Sequence, residues 1–218
     1  MYEIELTDVE KDYLDSIGST VNYPKGQIIF AAGQRTNEVY YIKNGWVKVF
    51  GTTLDGRQVS VALRYSGDFI GLAEVLSEDQ EREYSAEAMD NVSILILWKD
   101  SFKKMLGEHP DFSAKIMKLM SDRLRESQRT IHDFINNPVQ GRLALVLKNM
   151  AQRSGESAKG DIVNVRLRVT QEELACCIGA SRQTVSTLLN LLKDDGCLKY
   201  EGREIVSLNI KKLNAWIG

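Results

Sequence analysis

Apolar residues follow two different rhythms along this chain, and the change from one to the other divides it. Between Ile28 and Leu97 they come in short β-branched or aromatic runs: Ile28 to Phe30, Val39 to Ile42, Trp46 to Phe50, Val59 to Leu63 and Val92 to Leu97. Gly33, Gly45, Gly56 and Gly67 punctuate the stretch at intervals of 12, 11 and 11 residues, the turn spacing of an all-β sandwich or barrel. Asp55-Gly56 is a strong hairpin signal. Ahead of the strands, residues 7 to 18 predict a short helix capped by Thr7, with Val9, Tyr13, Leu14 and Ile17 on one side and Gly18 as its stop. Gly67-Asp68-Phe69-Ile70-Gly71 interrupts the strands, and Leu72 to Leu76 suits a further short helix.

From Pro110 or Asp111 the rhythm changes to threes and fours. Ile116, Met120, Leu124, Ile131 and Phe134 or Ile135 form a stripe along a helix that runs to about Asn136. Ser127 sits where the stripe calls for an apolar residue, with Gln128 beside it and Arg123, Arg125 and Arg129 nearby. Phe112, Met117 and Leu119 lie on other faces. The helix therefore carries more apolar surface than one partner covers, and a parallel dimer seam explains the excess better than a solitary helix laid on the β domain. Asn136-Asn137-Pro138 ends it, because proline lacks the amide donor and crowds the preceding turn, and a hinge is placed here. Gly141 to Met150 restarts a helix, and Gln152 to Gly160 reads as a polar surface loop.

Thr170 to Leu192 reads as two helices broken by a glycine turn. Thr170 caps the first, Glu173 completes a capping box, and Leu174 and Ile178 give an apolar stripe before Gly179. Ser181 caps the second. Val185, Leu188, Leu189 and Leu192 face a core, which leaves Arg182, Gln183, Ser186, Thr187 and Asn190 opposite them. Arg suits guanine and Gln or Asn suits adenine in the major groove, where a helix-turn-helix inserts the start of its second helix. Any compact helical subdomain could show such a pair. The residues C-terminal to it narrow the choice: Cys197 to Tyr200, a turn at Glu201-Gly202-Arg203, and Ile205 to Leu208 form a hairpin placed as a wing.

Charge separates the same two parts. Residues 139 to 218 hold 12 Lys and Arg against 8 Asp and Glu, a net of +4, while the remainder carries −6, so attraction to phosphate is local to the C-terminal part. With 218 residues and 43% hydrophobic content, the chain can bury a sizeable core and divide into two modest domains. Its acidic start has no basic segment followed by an apolar run. The longest apolar run, Ile94 to Trp98, falls far short of the roughly 20 residues a membrane helix needs, so a soluble, cytoplasmic protein without a membrane partner is expected. Cys176, Cys177 and Cys197 are odd in number and unpaired in spacing, which argues against a disulfide framework and for small buried residues, with a redox-sensitive thiol as the alternative. His109 and His132 lie far apart, so neither a metal cluster nor the convergent set of a cupin-like metalloenzyme is expected.

Gly67-Asp68-Phe69-Ile70-Gly71, Arg82, His109-Pro110-Asp111, Gly141-Arg142 and Ile178-Gly179-Ala180-Ser181-Arg182-Gln183-Thr184-Val185, in that order, resemble the bacterial cyclic-AMP receptor protein and fumarate-nitrate regulator (CRP/FNR) family over nearly the whole chain. The resemblance implies an α+β fold: an N-terminal double-stranded β-helix, or cyclic-nucleotide-binding-like β-roll, over residues 1–110, a dimerisation helix and hinge over 111–137, and a winged helix-turn-helix over 138–218. It implies a homodimeric, non-enzymatic transcription regulator that reads a palindromic site in double-stranded DNA, with RNA polymerase as a further partner. The DNA-binding residues would be Thr170, Ser181, Arg182, Gln183, Ser186, Thr187, Asn190 and Arg203. Ile116, Met120, Leu124, Ile131 and Phe134 would form the dimer interface. A small effector would meet Trp46, Gly71, Leu72, Glu74, Arg82, Glu83 and Tyr84, with Ser127 and Gln128 supplied by the dimer helix.

Four departures from the family pattern matter. Leu72 stands where a Glu would hold a ribose hydroxyl, and Glu83 replaces the small hydroxyl residue beside Arg82, placing a carboxylate where a cyclic phosphate would sit. Like charges a few ångströms apart repel strongly in a partly desolvated pocket, so cyclic AMP is expected to bind poorly or not at all. Another organic effector is expected, such as an aromatic or halogenated acid held by Arg82 or Lys48 near Trp46, Tyr65 or Tyr84; the alternative is a vestigial pocket filled by side chains. No cysteine precedes Cys176, which excludes an iron-sulfur sensor, and the placement of His109 and His132 speaks against haem. Gln183 replaces the family's usual Glu after the Arg, and Thr187 replaces a second Arg, so the half-site should differ at that base pair. A cyclic-nucleotide-type signalling module without DNA binding is the other reading, and it leaves the basic winged segment unexplained.

Overall fold

Thr7 opens α1 (Asp8–Ile17): its hydroxyl accepts from the Glu10 amide at 3.2 Å, and the Glu10 carboxylate accepts from the Thr7 amide at 2.6 Å. Two amides at the helix start are thus satisfied by one pair of side chains. The structure is a computed structural model that describes residues 4–77, 81–154 and 157–217. Two compact units divide between Arg125 and Glu126, inside one long helix.

The N-terminal unit continues with β1 (Gly18–Tyr23), β2 (Ile28–Phe30), β3 (Glu38–Asn44), β4 (Trp46–Thr52), β5 (Gln58–Tyr65), β6 (Phe69–Ile70), α2 (Leu72–Leu76), β7 (Ser85–Ala88), β8 (Val92–Trp98), α3 (Lys99–Glu108) and the first part of α4 (Pro110–Asn136). All pairings are antiparallel, in two four-stranded sheets ordered β1-β8-β3-β6 and β2-β7-β4-β5. The expected β-roll is present. β8 is apolar without a break from Ile94 to Trp98 because both of its faces are covered. Val92 and Ile94 join Ile42, Val47, Ala86 and Ala88 in one core cluster, whereas Leu95 and Leu97 pack with Leu14, Phe102, Phe112, Ile116 and Leu119 in another. Phe69, Phe102 and Phe112 meet pairwise with ring centroids 5.9 to 6.3 Å apart, which fixes the start of α4 against the sheet.

The C-terminal unit holds the rest of α4, then α5 (Val139–Ser154), β9 (Ser157–Lys159), β10 (Ile162–Leu167), α6 (Gln171–Ile178), α7 (Arg182–Asp194), β11 (Leu198–Glu201), β12 (Glu204–Asn209) and α8 (Ile210–Asn214). Its sheet runs β11-β12-β10-β9. Pro138 separates α4 from α5, as its missing amide demands.

One expectation needs correction. The polar stretch from Gln152 to Gly160 is not simply a loop: α5 extends to Ser154, and β9 pairs with β10 at Lys159↔Ile162. Gly155 and Glu156 lie outside the described residues. Gly18 stops α1 as expected, and its extended backbone (φ −121°, ψ 177°) opens β1 opposite Leu97. The requirement there is close approach, because a Cβ would stand 2.8 Å from the carbonyl oxygen of Ile96.

Gly18→Ala is therefore expected to destabilise the protein by about 1–3 kcal/mol through overpacking, read as a lower urea midpoint. Gly56→Ala, at an open hairpin tip with φ +81°, should cost about 1–2 kcal/mol through its left-handed backbone alone. An unchanged midpoint for Gly18→Ala would show that the sheet yields to the extra methyl group.

Candidate nucleic-acid interface and effector pocket

α6 starts on Thr170, whose hydroxyl accepts from the Glu173 amide at 3.1 Å while the Glu173 carboxylate accepts from the Thr170 amide at 2.6 Å. α6 ends at Gly179, which is left-handed at φ 63°, ψ 43°, a conformation that an L side chain adopts only with strain. Two residues later the Ser181 hydroxyl accepts from the Thr184 amide at 3.0 Å and starts α7. The tight turn and both caps are the ones that the sequence specifies.

Val185, Leu189 and Leu192 are buried behind α7, while Arg182, Gln183, Thr187 and Asn190 are exposed on its front. Ser186 is half-buried rather than exposed, which leaves it less reach than its neighbours. Thr187 gives its hydroxyl hydrogen to the Gln183 carbonyl at 3.1 Å, holding its own rotamer. Thr170 is committed to its cap, and its amide serves Glu173 rather than an outside group. Arg203 is exposed at the tip of the β11–β12 hairpin, while Arg168 is ion-paired with Glu204. These elements present amide, guanidinium and hydroxyl groups on one helix face beside a wing.

On α4 the expected stripe is shifted. Ile116 is only 3% exposed and lies within its own unit's core, and Met120 packs against that core, so neither is a free seam residue. The outward apolar residues are Met117 (64% exposed), Leu124 (61%) and Ile131 (61%), recurring every seventh residue, with Ile135 and Phe134 near the end. Met117 escapes a reading by sequence because the threes-and-fours pattern fits Ile116 and Met120 equally well. Phe134 has further partners: the Arg142 guanidinium carbon lies 4.7 Å from its ring centroid, and the ring flanks Gly179.

Of the effector candidates, only Gly71, Glu74 and Arg82 come together. Arg82 is almost wholly buried and donates to Glu74 at 3.0 Å, to the Thr36 hydroxyl and to the Glu38 carbonyl at 2.6 Å. Glu74, expected from sequence to be a ligand contact, is thus the partner of Arg82, and Gly71 lies against the same guanidinium. Leu72 is buried among apolar residues of α3 and α4 instead of lining a polar pocket. Trp46 stacks on Tyr65 at 5.9 Å, on the face of β4 opposite the buried Val47. Lys48 shares that face, paired with Glu87 at 2.8 Å and Gln58 at 2.9 Å. Tyr84 is half-buried beside Gly51, and its hydrogen bond to the exposed Glu83 raises its pKa. Ser127 and Gln128 are exposed on the part of α4 that belongs to the C-terminal unit. A separate surface groove of about 580 Å³, lined by Thr7, Glu10, His109, Asp111 and Lys115, includes none of these candidates.

The remaining reactive side chains are dispersed. His109 packs edge-on against Tyr13 at 4.9 Å, and His132 is exposed beside Asp133. Cys197 is buried, and burial, reinforced by Asp195, pushes its thiol pKa up; Cys176 and Cys177 are half-buried. Among the described residues no group of three or more His, Cys, Asp or Glu could hold a metal ion, and no helix is long and apolar enough to cross a membrane.

The family model of the cyclic nucleotide-binding domain matches residues 20–109, and that of the Crp-like helix-turn-helix domain matches residues 141–216. This chain belongs to the CRP/FNR family of transcription regulators. It is 28% identical over 193 residues to a CRP-like cAMP-activated global transcriptional regulator of Mycobacterium tuberculosis, covering 88% of this chain and 85% of that protein. It is 26% identical over 184 residues to the cAMP-activated global transcriptional regulator CRP of Escherichia coli, covering 84% and 87%. The structure of FixK2 from Bradyrhizobium japonicum shares the fold at a TM-score of 0.79 and 23% identity, covering 93% of this chain and 98% of that one. DNA binding through the helix-turn-helix and transcription regulation follow from membership of this CRP/FNR family.

The caps that set the turn are testable by stability. Ser181→Ala is expected to lower unfolding free energy by about 0.5–2 kcal/mol, and Ser181→Asp, which can still accept the Thr184 amide, to lose much less. Equal losses in thermal or urea unfolding would show that the cap does not hold α7.

Proposed function

We propose that this CRP/FNR-family protein acts as a cytoplasmic homodimer that reads a palindromic DNA site and responds to a small organic effector other than cyclic AMP. The observation that carries the DNA reading is the division of α7: Val185, Leu189 and Leu192 are buried while Arg182, Gln183, Thr187 and Asn190 stand exposed. The heptad of exposed Met117, Leu124 and Ile131 supports a parallel two-helix seam, and such a seam would place two recognition helices about a two-fold axis. RNA polymerase is proposed as the partner through which bound protein acts on transcription.

The effector reading rests on the charge around Arg82. A cyclic phosphate would need that guanidinium, which already carries Glu74, and Leu72 offers no polar atom for a ribose hydroxyl. No resident cofactor is needed for this scheme, and an iron-sulfur sensor would need cysteines that the segment before Cys176 does not contain.

Arg182→Ala is expected to weaken binding to the cognate site by about 1–3 kcal/mol, roughly 5- to 150-fold, in a gel-shift titration at fixed salt. Leu124→Glu should convert the dimer to monomer in light scattering and abolish tight binding to the two-fold site. Full site occupancy by Arg182→Ala, or a wild-type protein that scatters as a monomer, would overturn the proposal. Calorimetric titration with cyclic AMP should give no saturable heat, whereas a saturable isotherm would return the effector to that nucleotide.

A further inference from the structure

A guanidinium taken out of water must be matched by an anion and by hydrogen bonds, because an uncompensated buried charge is strongly destabilising. The Arg82 side chain is 1% exposed. Its Nη1 donates to Glu74 at 3.0 Å, its Nη2 donates to the Thr36 hydroxyl and to the Glu38 carbonyl, and Phe30 lies 4.3 Å beneath Cζ. The Nε hydrogen is buried without a hydrogen-bond partner among the described residues. Gly71 admits no side chain here, since a Cβ would come within 2.9 Å of Cζ. The carboxylate in this cradle is that of Glu74, whose side chain is 15% exposed and which comes from α2, a helix of only five residues.

We propose that Glu74 is a tethered counter-ion: it fills, from within the chain, an oxyanion site built by Arg82, Thr36 and the Gly71 turn, and an external carboxylate or phosphate enters only when Glu74 withdraws. The proposal rests on the reading that the β-roll receives an effector, and it names the chemistry and the gate of that site. Tethering gives the Glu74 carboxylate a high effective concentration, so a free anion at modest concentration cannot displace it without contacts of its own. Displacement would not stay local. Leu72 and Val75 of α2 belong to the same apolar cluster as Phe112, Ile116 and Leu119 of α4. Arg123 of α4 is bonded to Asp68 and to the Phe69 carbonyl, just ahead of Gly71. Movement of α2 therefore reaches the helix proposed to form the dimer.

The test is chemical rescue in the full-length protein. Glu74→Ala removes the equivalent of an acetate ion. Its melting temperature in chloride is expected to fall by roughly 5–10 °C, and about 0.1 M acetate at the same ionic strength should restore a large part of that loss through binding to the folded state. Wild type should not distinguish acetate from chloride. Glu74→Gln, which keeps the volume filled, should melt lower than wild type and ignore acetate. Should Glu74→Ala fail to stay folded in chloride, its recovery from urea in acetate but not in chloride reads the same contrast. Inorganic phosphate in place of acetate assigns the class: better rescue by phosphate indicates a phosphate-bearing ligand, and better rescue by acetate a carboxylate. Equal acetate responses in wild type and Glu74→Ala, or no response in Glu74→Ala, would overturn the proposal. Retention of operator DNA by wild type is measured in parallel, because its absence would overturn the DNA-binding reading while leaving the rescue result intact.

Discussion

A helix can offer side chains to a DNA groove only if its opposite face is anchored so firmly that the offered groups arrive already in place. In this protein that anchor is the row Val185, Leu189 and Leu192, buried behind α7. Fully burying side chains of this size is favourable by about 1.5–3 kcal/mol each, which fixes the face of the helix that turns inward. Its start is fixed separately by the Ser181 cap and the left-handed Gly179. The front of α7 is then free to be polar, and the local excess of positive charge adds attraction to phosphate.

The same economy of faces explains α4. Its inner residues Phe112, Ile116 and Leu119 complete the N-terminal core, which leaves Met117, Leu124 and Ile131 in water. A row of exposed apolar residues at heptad spacing is unfavourable in a monomer, and the second helix proposed above would cover it. Phe134, at the end of this row, is held by Arg142 and touches the turn that presents α7. The end of α4 and the start of the recognition helix therefore share a side chain, a physical route by which packing along α4 could bias the position of α7.

Much of the fold is legible in the sequence because strong periodicity and turn chemistry agree. The glycine-spaced strands, the long helix, its end at Pro138, both caps of the helix-turn-helix and the wing all announce themselves through residues with one dominant structural use. Weakly patterned elements are not legible: β1 is largely polar and exposed, β7 is four residues of which two are alanine, and α3 buries only Phe102 and Met105. The apolar stripe read from sequence differs by one residue from the exposed one, because Ile116 and Met117 fit a helical period equally well until burial separates them. The effector region is least legible of all. Nothing local in Arg82 or Glu74 reveals that they pair across eight residues, since that contact depends on how α2 settles on the roll.

The most direct test of DNA reading by a symmetric pair of α7 helices is selection of bound sequences from random double-stranded DNA. The expected result is enrichment of a two-fold symmetric site in which the base facing Gln183 is adenine, moving to cytosine for Gln183→Glu, since Gln pairs with adenine N6 and N7 and Glu accepts from cytosine N4. Enrichment of an asymmetric site, or of the same site by both proteins, would contradict it.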